Sequence, residues 1–373
     1  MIYLYLLFYG LLLLYKASTL GIGAQEAQIV FSSPLFSWIH SLFKSELAVR
    51  VPNIAVTLVN IYLIYLLSKR YFKDEKEALF SAVLFSLFPA IIASGVVLNK
   101  ATFIIFLTLV FIFLYQNRRL FSYIFAFFLL FLDNSFAILF LALFFYALYR
   151  RDYREGLFFL LCFLLNVALF GFDIGGKPRN YFLDTFAIFA TIFSPLLFLY
   201  FFYTIYRILV KEQKDILWFI SATAFLFSLF LSFRQKIELL DFAPFVVLGA
   251  PLMVRTFLNS YKVRIKKHRK KLKLMFFLVM GSLIVNDVLL VFNDFLFYVY
   301  GAKKHFAYRN YLASELSKFD CVETENKKLQ LALKFYGVGG CDGGCKKREI
   351  FYKDIYLGSF CVSEGNKTEE PPR

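Results

Sequence analysis

The chain has 373 residues, of which 60% are hydrophobic and only 18% charged, and this composition excludes a soluble globular fold. A formal net charge of +16 would suit a nucleic-acid binder, but the cations are gathered in short gaps between apolar runs, so no nucleic-acid partner is expected. Phe (51 residues) and Tyr (24) supply the bulk that lipid-facing helices need.

A bilayer core asks for about 20 mainly apolar helical residues per crossing. The expected spans, about eleven, run near 1–16, 51–68, 78–97, 101–116, 120–133, 135–149, 156–171, 185–206, 216–232, 242–259 and 274–297. The first lacks a basic leader and a small-residue cleavage site, and is read as a retained helix. Basic gaps at Lys69 to Lys76, Arg118 and Arg119, Arg150 to Arg154, Arg207 to Lys214 and Arg255 to Lys273 alternate with gaps poor in Lys and Arg. The positive-inside rule puts the rich gaps in the cytoplasm. The expectation is a multi-pass plasma (inner) membrane protein with a cytoplasmic N-terminus.

Residues 17–52 are too polar to cross the membrane and too apolar for a free loop. They predict two short amphipathic helices in the outer interface, from about Ala24 to Phe31 and from about Pro34 to Phe43, the second with Pro in its first turn. Glu26 then sits at the membrane surface. There a carboxylate would take a proton from an incoming acceptor; the plainer role is an acid favoured by the helix dipole.

Farther along, Lys100 lies with Asn99 in an outer turn, Asp133 and Asn134 mark another outer turn with no further signal, and Asp173 to Arg179 forms an outer loop. Arg234 and Lys236 open the segment Arg234-Gln-Lys-Ile-Glu-Leu-Leu-Asp-Phe-Ala-Pro244 at the outer interface. Such cations suit a lipid-linked phosphate, or merely snorkel to headgroups. The pairs Asn286-Asp287 and Asn293-Asp294, seven apart, share a helical face near the outer end of the last span. Either they form a buried polar face or the helix leaves the bilayer early; the second is slightly favoured.

Beyond residue 300 the chain turns polar and rich in Lys, Gly and Glu, which divides it into a transmembrane domain (1–300) and a small extracytoplasmic domain (301–373). Runs such as Ile350 to Tyr356, with Gly339-Gly340 and Gly343-Gly344 as turns, suggest a few strands in an α+β unit. Cys321, Cys341, Cys345 and Cys361 are disulfide candidates in an oxidising compartment, with the pairing open. A zinc site on Cys341 and Cys345 is the weaker reading, and Cys162 is a packing residue within a helix. Asn366-Lys-Thr368 has the form of a glycosylation sequon. His40, His268 and His305 are scattered, and no metal site is assigned.

The order Gln25-Glu26-Ala27, Ser33-Pro34-Leu35-Phe36-Ser37-Trp38, Ser45-Glu46-Leu47-Ala48-Val49-Arg50-Val51-Pro52 and Ser68-Lys69-Arg70-Tyr71-Phe72 resembles the N-terminal third of GT-C glycosyltransferases. The likeness is to the family 39 and aminoarabinose-transferase-like branch, over about residues 20 to 120. It implies a GT-C-like helical membrane fold and transfer of a sugar from a polyprenyl-phosphate carrier to a lipid, glycan or protein acceptor on the extracytoplasmic face. It further implies Glu26 as the base, with Arg50, Lys100, Arg234 and Lys236 toward the lipid phosphate. Where those relatives carry the Asp usually used as base, this chain has Gln25, an amide that takes no proton. Alternatives are a non-catalytic homologue and a carrier or flippase for a lipid-linked glycan. No cofactor is firmly expected; a divalent metal is possible and has no residue signal behind it.

Overall fold

The computed structural model describes residues 1–43, 45–171, 180–293, 307–341, 345–352 and 355–363. The Asp173 to Arg179 loop, Asp294, His305, Gly343-Gly344 and the Asn366 sequon lie outside the described residues. The chain is mostly helical with a small C-terminal sheet. Among the described residues six helices are long and apolar enough to cross a membrane, and eight if each bent pair is one span.

By contacts the chain divides into two compact units, and the division does not follow the composition boundary at 300. One comprises Met1–Leu6, Val56–Ser94 and Lys100–Asp287, the other Leu7–Ala55, Gly95–Asn99 and Val288–Arg373. Four helices run from one unit into the other: α1 (Ile2–Thr19), α4 (Glu46–Ser68) and, by their last residues, the helices at Pro89–Val96 and Lys266–Val291.

The larger unit holds α5 (Glu75–Ser86), most of α6 (Pro89–Val96), α7 (Lys100–Asn117), α8 (Arg119–Leu129), α9 (Phe136–Tyr149) and α10 (Tyr153–Phe170). It continues through α11 (Phe182–Phe193), α12 (Pro195–Lys211), α13 (Ile216–Ser232), α14 (Leu239–Val246), α15 (Ala250–Val263) and most of α16 (Lys266–Val291). Two expected spans are broken where proline resets the chain: α5 and α6 meet at 66° before Pro89, and α11 and α12 at 103° before Pro195. The expected spans at 120–133, 135–149 and 216–232 are the apolar but shorter helices α8, α9 and α13. Stacked and edge-on rings fill the interior, with Phe193 against Phe201 at 4.8 Å and Phe189 against Phe225 at 5.3 Å.

The smaller unit contains the segment after α1. Its helices α2 (Ala24–Ser32) and α3 (Pro34–Phe43) fall where the sequence puts them, within one residue. It also holds α17 (Tyr308–Leu316), β1 (Cys321–Glu323), α18 (Lys327–Phe335), β2 (Lys346–Tyr352) and β3 (Ile355–Ser363). The three strands pair antiparallel in the order β1-β3-β2. Cys321 is bonded to Cys341 and Cys345 to Cys361. The two cysteines proposed to share a zinc therefore belong to different bridges, and Cys162 is buried with a free thiol. Gly339 does not make a hairpin turn; it bridges in parallel to Cys321.

Gly21 is required by packing: a Cβ there would stand 2.3 Å from the Asn310 carbonyl oxygen, while the Asn310 side chain donates to the Gly21 carbonyl at 2.9 Å. The last long helix ends at Val291, short of the expected 297, and Asp287 is buried in it at 7% exposure. Asn293 is buried as well, where the Lys16 ammonium (2.9 Å) and the Tyr311 hydroxyl (2.8 Å) donate to its Oδ1.

Candidate functional site

Two polar centres answer to the residues singled out in the sequence. The first lies in the smaller unit and is closed. Glu26 stands in the first turn of α2, where its Oε2 accepts from the Gly23 amide at 3.0 Å and so caps the helix. Arg50, on α4, grips the same carboxylate with two prongs, Nε to Oε1 at 2.9 Å and Nη2 to Oε2 at 2.7 Å. The Leu98 amide adds a fourth donor at 2.9 Å.

Arg50 in turn spends its remaining N–H groups on the carbonyls of Ala17 (2.8 Å), Leu20 and Gly21 (2.9 Å). Both residues are 0% exposed. A carboxylate offers about four lone-pair sites and a guanidinium five N–H donors, so each partner is saturated. In this arrangement Glu26 has no site left for an acceptor proton and Arg50 none for a phosphate. The plainer sequence reading of Glu26, an acid at a helix N-terminus, describes it, with an ion pair added. Arg50 does not pair with Glu46 one turn earlier; Glu46 accepts from the Tyr336 hydroxyl, which itself accepts from the Ile22 amide at 2.8 Å. Burial, and then the Glu46 charge, push the Tyr336 phenol well above its usual range, so it stays a donor.

The second centre lies in the larger unit and is partly open. Lys100, the first residue of α7, reaches Asp241 Oδ1 at 2.7 Å and Asp133 Oδ1 at 3.3 Å, and donates to Asn134 Oδ1 at 3.4 Å. The Ser135 hydroxyl lies within 2.9 Å of Asp241 Oδ1 and 2.5 Å of Asp133 Oδ1, tying the carboxylates together. The side chains of Lys100, Asp133 and Asp241 are 34%, 27% and 15% exposed. Asp241 also lines a polar cavity of about 60 Å³ with Asn134, Asn166 and Lys236. Asn166 is buried at 1% exposure; its amide nitrogen donates to the carbonyls of Leu130 (2.8 Å) and Asp133 (3.2 Å), and its Oδ1 has no hydrogen-bond partner among the described residues.

Lys100 is thus, beside the buried Arg50, a sequence candidate that the fold joins to acids. Lys236 is exposed on the cavity wall, and Arg234 is exposed with no ion pair among the described residues. Sequence reasoning passed over Asp133, Ser135 and Asp241. The signal available was sidedness: all three stand in connections poor in Lys and Arg, as Lys100 does. The opposite connections also join one another, through Lys262 to Glu77 (2.7 Å), Arg255 to Asp215 (3.1 Å) and Tyr123 to Glu155 (3.2 Å). At about 1.5 Å per residue, the 18 residues of α7 hold Lys100 about 26 Å from Asn117, whose side chain accepts from Arg70 at 3.1 Å.

No known family model, curated protein or solved structure matches the chain.

Proposed function

We propose that this protein is a GT-C-type membrane glycosyltransferase that moves a sugar from a polyprenyl-phosphate carrier to an acceptor hydroxyl on the extracytoplasmic face. The observation that carries the reading is the meeting of Lys100 with Asp133 and Asp241, brought together from three connections that the charge pattern assigns to one side. In this reading the acceptor hydroxyl attacks the anomeric carbon, the carbon–oxygen bond to phosphate breaks, and the proton passes to Asp241. The carrier phosphate leaves with the bonding electrons and is stabilised by Lys100, aided by Lys236 and Arg234 from the exposed rim. Asp241 is preferred over Asp133 as base because it faces the cavity, whereas Asp133 also accepts from the Ser135 amide at 2.9 Å. Glu26 and Arg50 serve to hold the first outer segment in shape.

The same sidedness supports eleven crossings. The chain leaves the basic end at Arg118, joins Lys100 at Asp133, and is back beside the basic residues at Glu155, so α8 and α9 each carry it across despite their length. A second reading, a non-catalytic homologue of the same fold, is favoured by Gln25 and by the saturated Glu26 carboxylate.

The test is a transfer assay in membranes, with radiolabelled polyprenyl-phosphate sugars as donors, comparing wild type with Asp241→Asn and Glu26→Gln. Transfer by wild type that falls at least about 100-fold in Asp241→Asn, in line with loss of a general base, supports the enzyme. Transfer unchanged by Asp241→Asn removes Asp241 from the chemistry, and no transfer by wild type from any donor favours the non-catalytic homologue.

A further inference from the structure

An apolar slot of about 390 Å³ lies in the larger unit between α5, α12, α15 and α16, lined by side chains such as Leu84, Leu197, Met253, Met275 and Val279. Phe276 walls it, packed on Phe257 at 4.9 Å and on Phe80 at 5.6 Å. Few residues of α16 are buried, so this wall of the slot faces the lipid phase of the proposed membrane.

The slot does not end blindly in hydrocarbon. Ser260 and Arg264 line it and also line a second, polar hollow of about 600 Å³ with Arg207, Glu212, Gln213 and Asn259. An apolar channel running into a polar chamber has the layout of an amphiphile with one tail and a head. The charges in the chamber select the head. Glu212 already meets Arg207 at 3.3 Å and Arg255 at 3.6 Å, so its charge is spoken for. The neighbouring cations are committed too, Lys262 to Glu77 and Arg269 to the carbonyls of Arg264 and Lys262. Arg264 is exposed and has no ion pair among the described residues. One guanidinium therefore faces the chamber uncompensated, in a form suited to two-pronged contact with phosphate. Gln213 and Asn259 supply amides for the ester and hydroxyl oxygens that surround such a phosphate.

We infer that this slot and chamber form a binding site for an anionic glycerophospholipid, one acyl chain in the slot and the phosphate against Arg264. The site shares no residue with the Lys100 cluster and stands whether or not the chain is a transferase. Basic pockets between membrane helices are places where anionic headgroups are held, and the slot's volume lies within the roughly 300–1,000 Å³ of small-ligand sites.

Native mass spectrometry of the purified full-length protein in detergent, titrated with dioleoylphosphatidylglycerol or dioleoylphosphatidylcholine, tests this. The expected result is one phosphatidylglycerol retained about tenfold more tightly than phosphatidylcholine, the step of one charge-assisted contact. Arg264→Ala should abolish that preference and Arg264→Lys restore part of it. Val279→Trp, which fills the slot, should weaken both lipids equally. Equal retention of the two lipids by wild type, or a preference untouched by Arg264→Ala, would overturn the site. Decaprenyl phosphate held in preference to phosphatidylglycerol would overturn its assignment to a glycerophospholipid.

Discussion

The Glu26–Arg50 centre and the Lys100–Asp133–Asp241 centre are both ion-pair clusters that join residues far apart in the chain, yet they are opposite in kind. In the first, every lone pair and every N–H is used and no water reaches the charges. In the second, the side chains are 15 to 34% exposed and the cluster borders a cavity with an amide oxygen that has no hydrogen-bond partner among the described residues. A saturated buried pair is bound to one geometry, because any substrate group would have to replace a bond that burial has made costly to lose. A partly wet cluster can exchange partners, since water screens its charges and takes over the vacated bonds. Chemistry belongs at the second kind of site and shape at the first.

The comparison breaks most visibly at Arg50. Arg50→Ala leaves the buried Glu26 carboxylate without its cation and takes a donor from each of three carbonyls, and loss of one partner of a buried pair costs about 3–5 kcal/mol. The detergent-solubilised variant should aggregate or melt far below wild type. The double variant Glu26→Gln, Arg50→Met should recover part of the loss, because no charge is then left buried. A normal melt for Arg50→Ala would mean that the closed centre is not closed in solution.

Next comes Asp241→Asn, which keeps shape and removes charge. Transfer should fall at least about 100-fold while stability, measured by the same melt, changes by less than about 1 kcal/mol for a partly exposed ion pair. That split between activity and stability is the reverse of the one expected at Arg50. Lys100→Met should be milder: KM for the lipid-phosphate donor rises about tenfold, the loss of one charge-assisted contact, with kcat reduced less if Lys236 and Arg234 share the phosphate.

The smallest effect is expected at Tyr336, on the edge of the closed centre. Tyr336→Phe removes the donor to Glu46 and should cost about 1 kcal/mol. The pH dependence has a definite sign. The folded phenol is raised above its ordinary value of 10.0, so its contribution is complete below pH 10 and is lost as pH rises from there toward the folded value. Wild type should lose stability above pH 10 more steeply than Tyr336→Phe in a melt series.

Legibility followed the range of the interaction. The helices α2 and α3 were readable to within a residue because their signals are local: an acid in the first turn at Glu26, a proline at the first position of α3, and apolar periodicity between them. The broken spans were less so, since Pro89 and Pro195 fix where a helix restarts but not the angle at which it does. The C-terminal cysteines announced disulfides by number; which sulfur meets which was decided by tertiary placement, since Cys321 lies on a strand beside the one carrying Cys361 but bridges Gly339 and bonds Cys341.

By itself the sequence determined that the chain is a bundle of apolar helices with two kinds of connection and a polar, cysteine-bearing end, because hydropathy and charge act residue by residue. Only the tertiary structure decided that Glu26 is spent on Arg50, and that Lys100 finds acids 33 and 141 positions away at Asp133 and Asp241 (133 − 100 and 241 − 100). The physical reason is that partnership among charges depends on distances of a few ångströms and on access to water. Both are set by how helices remote in sequence pack, and neither is written in the residues that do the pairing.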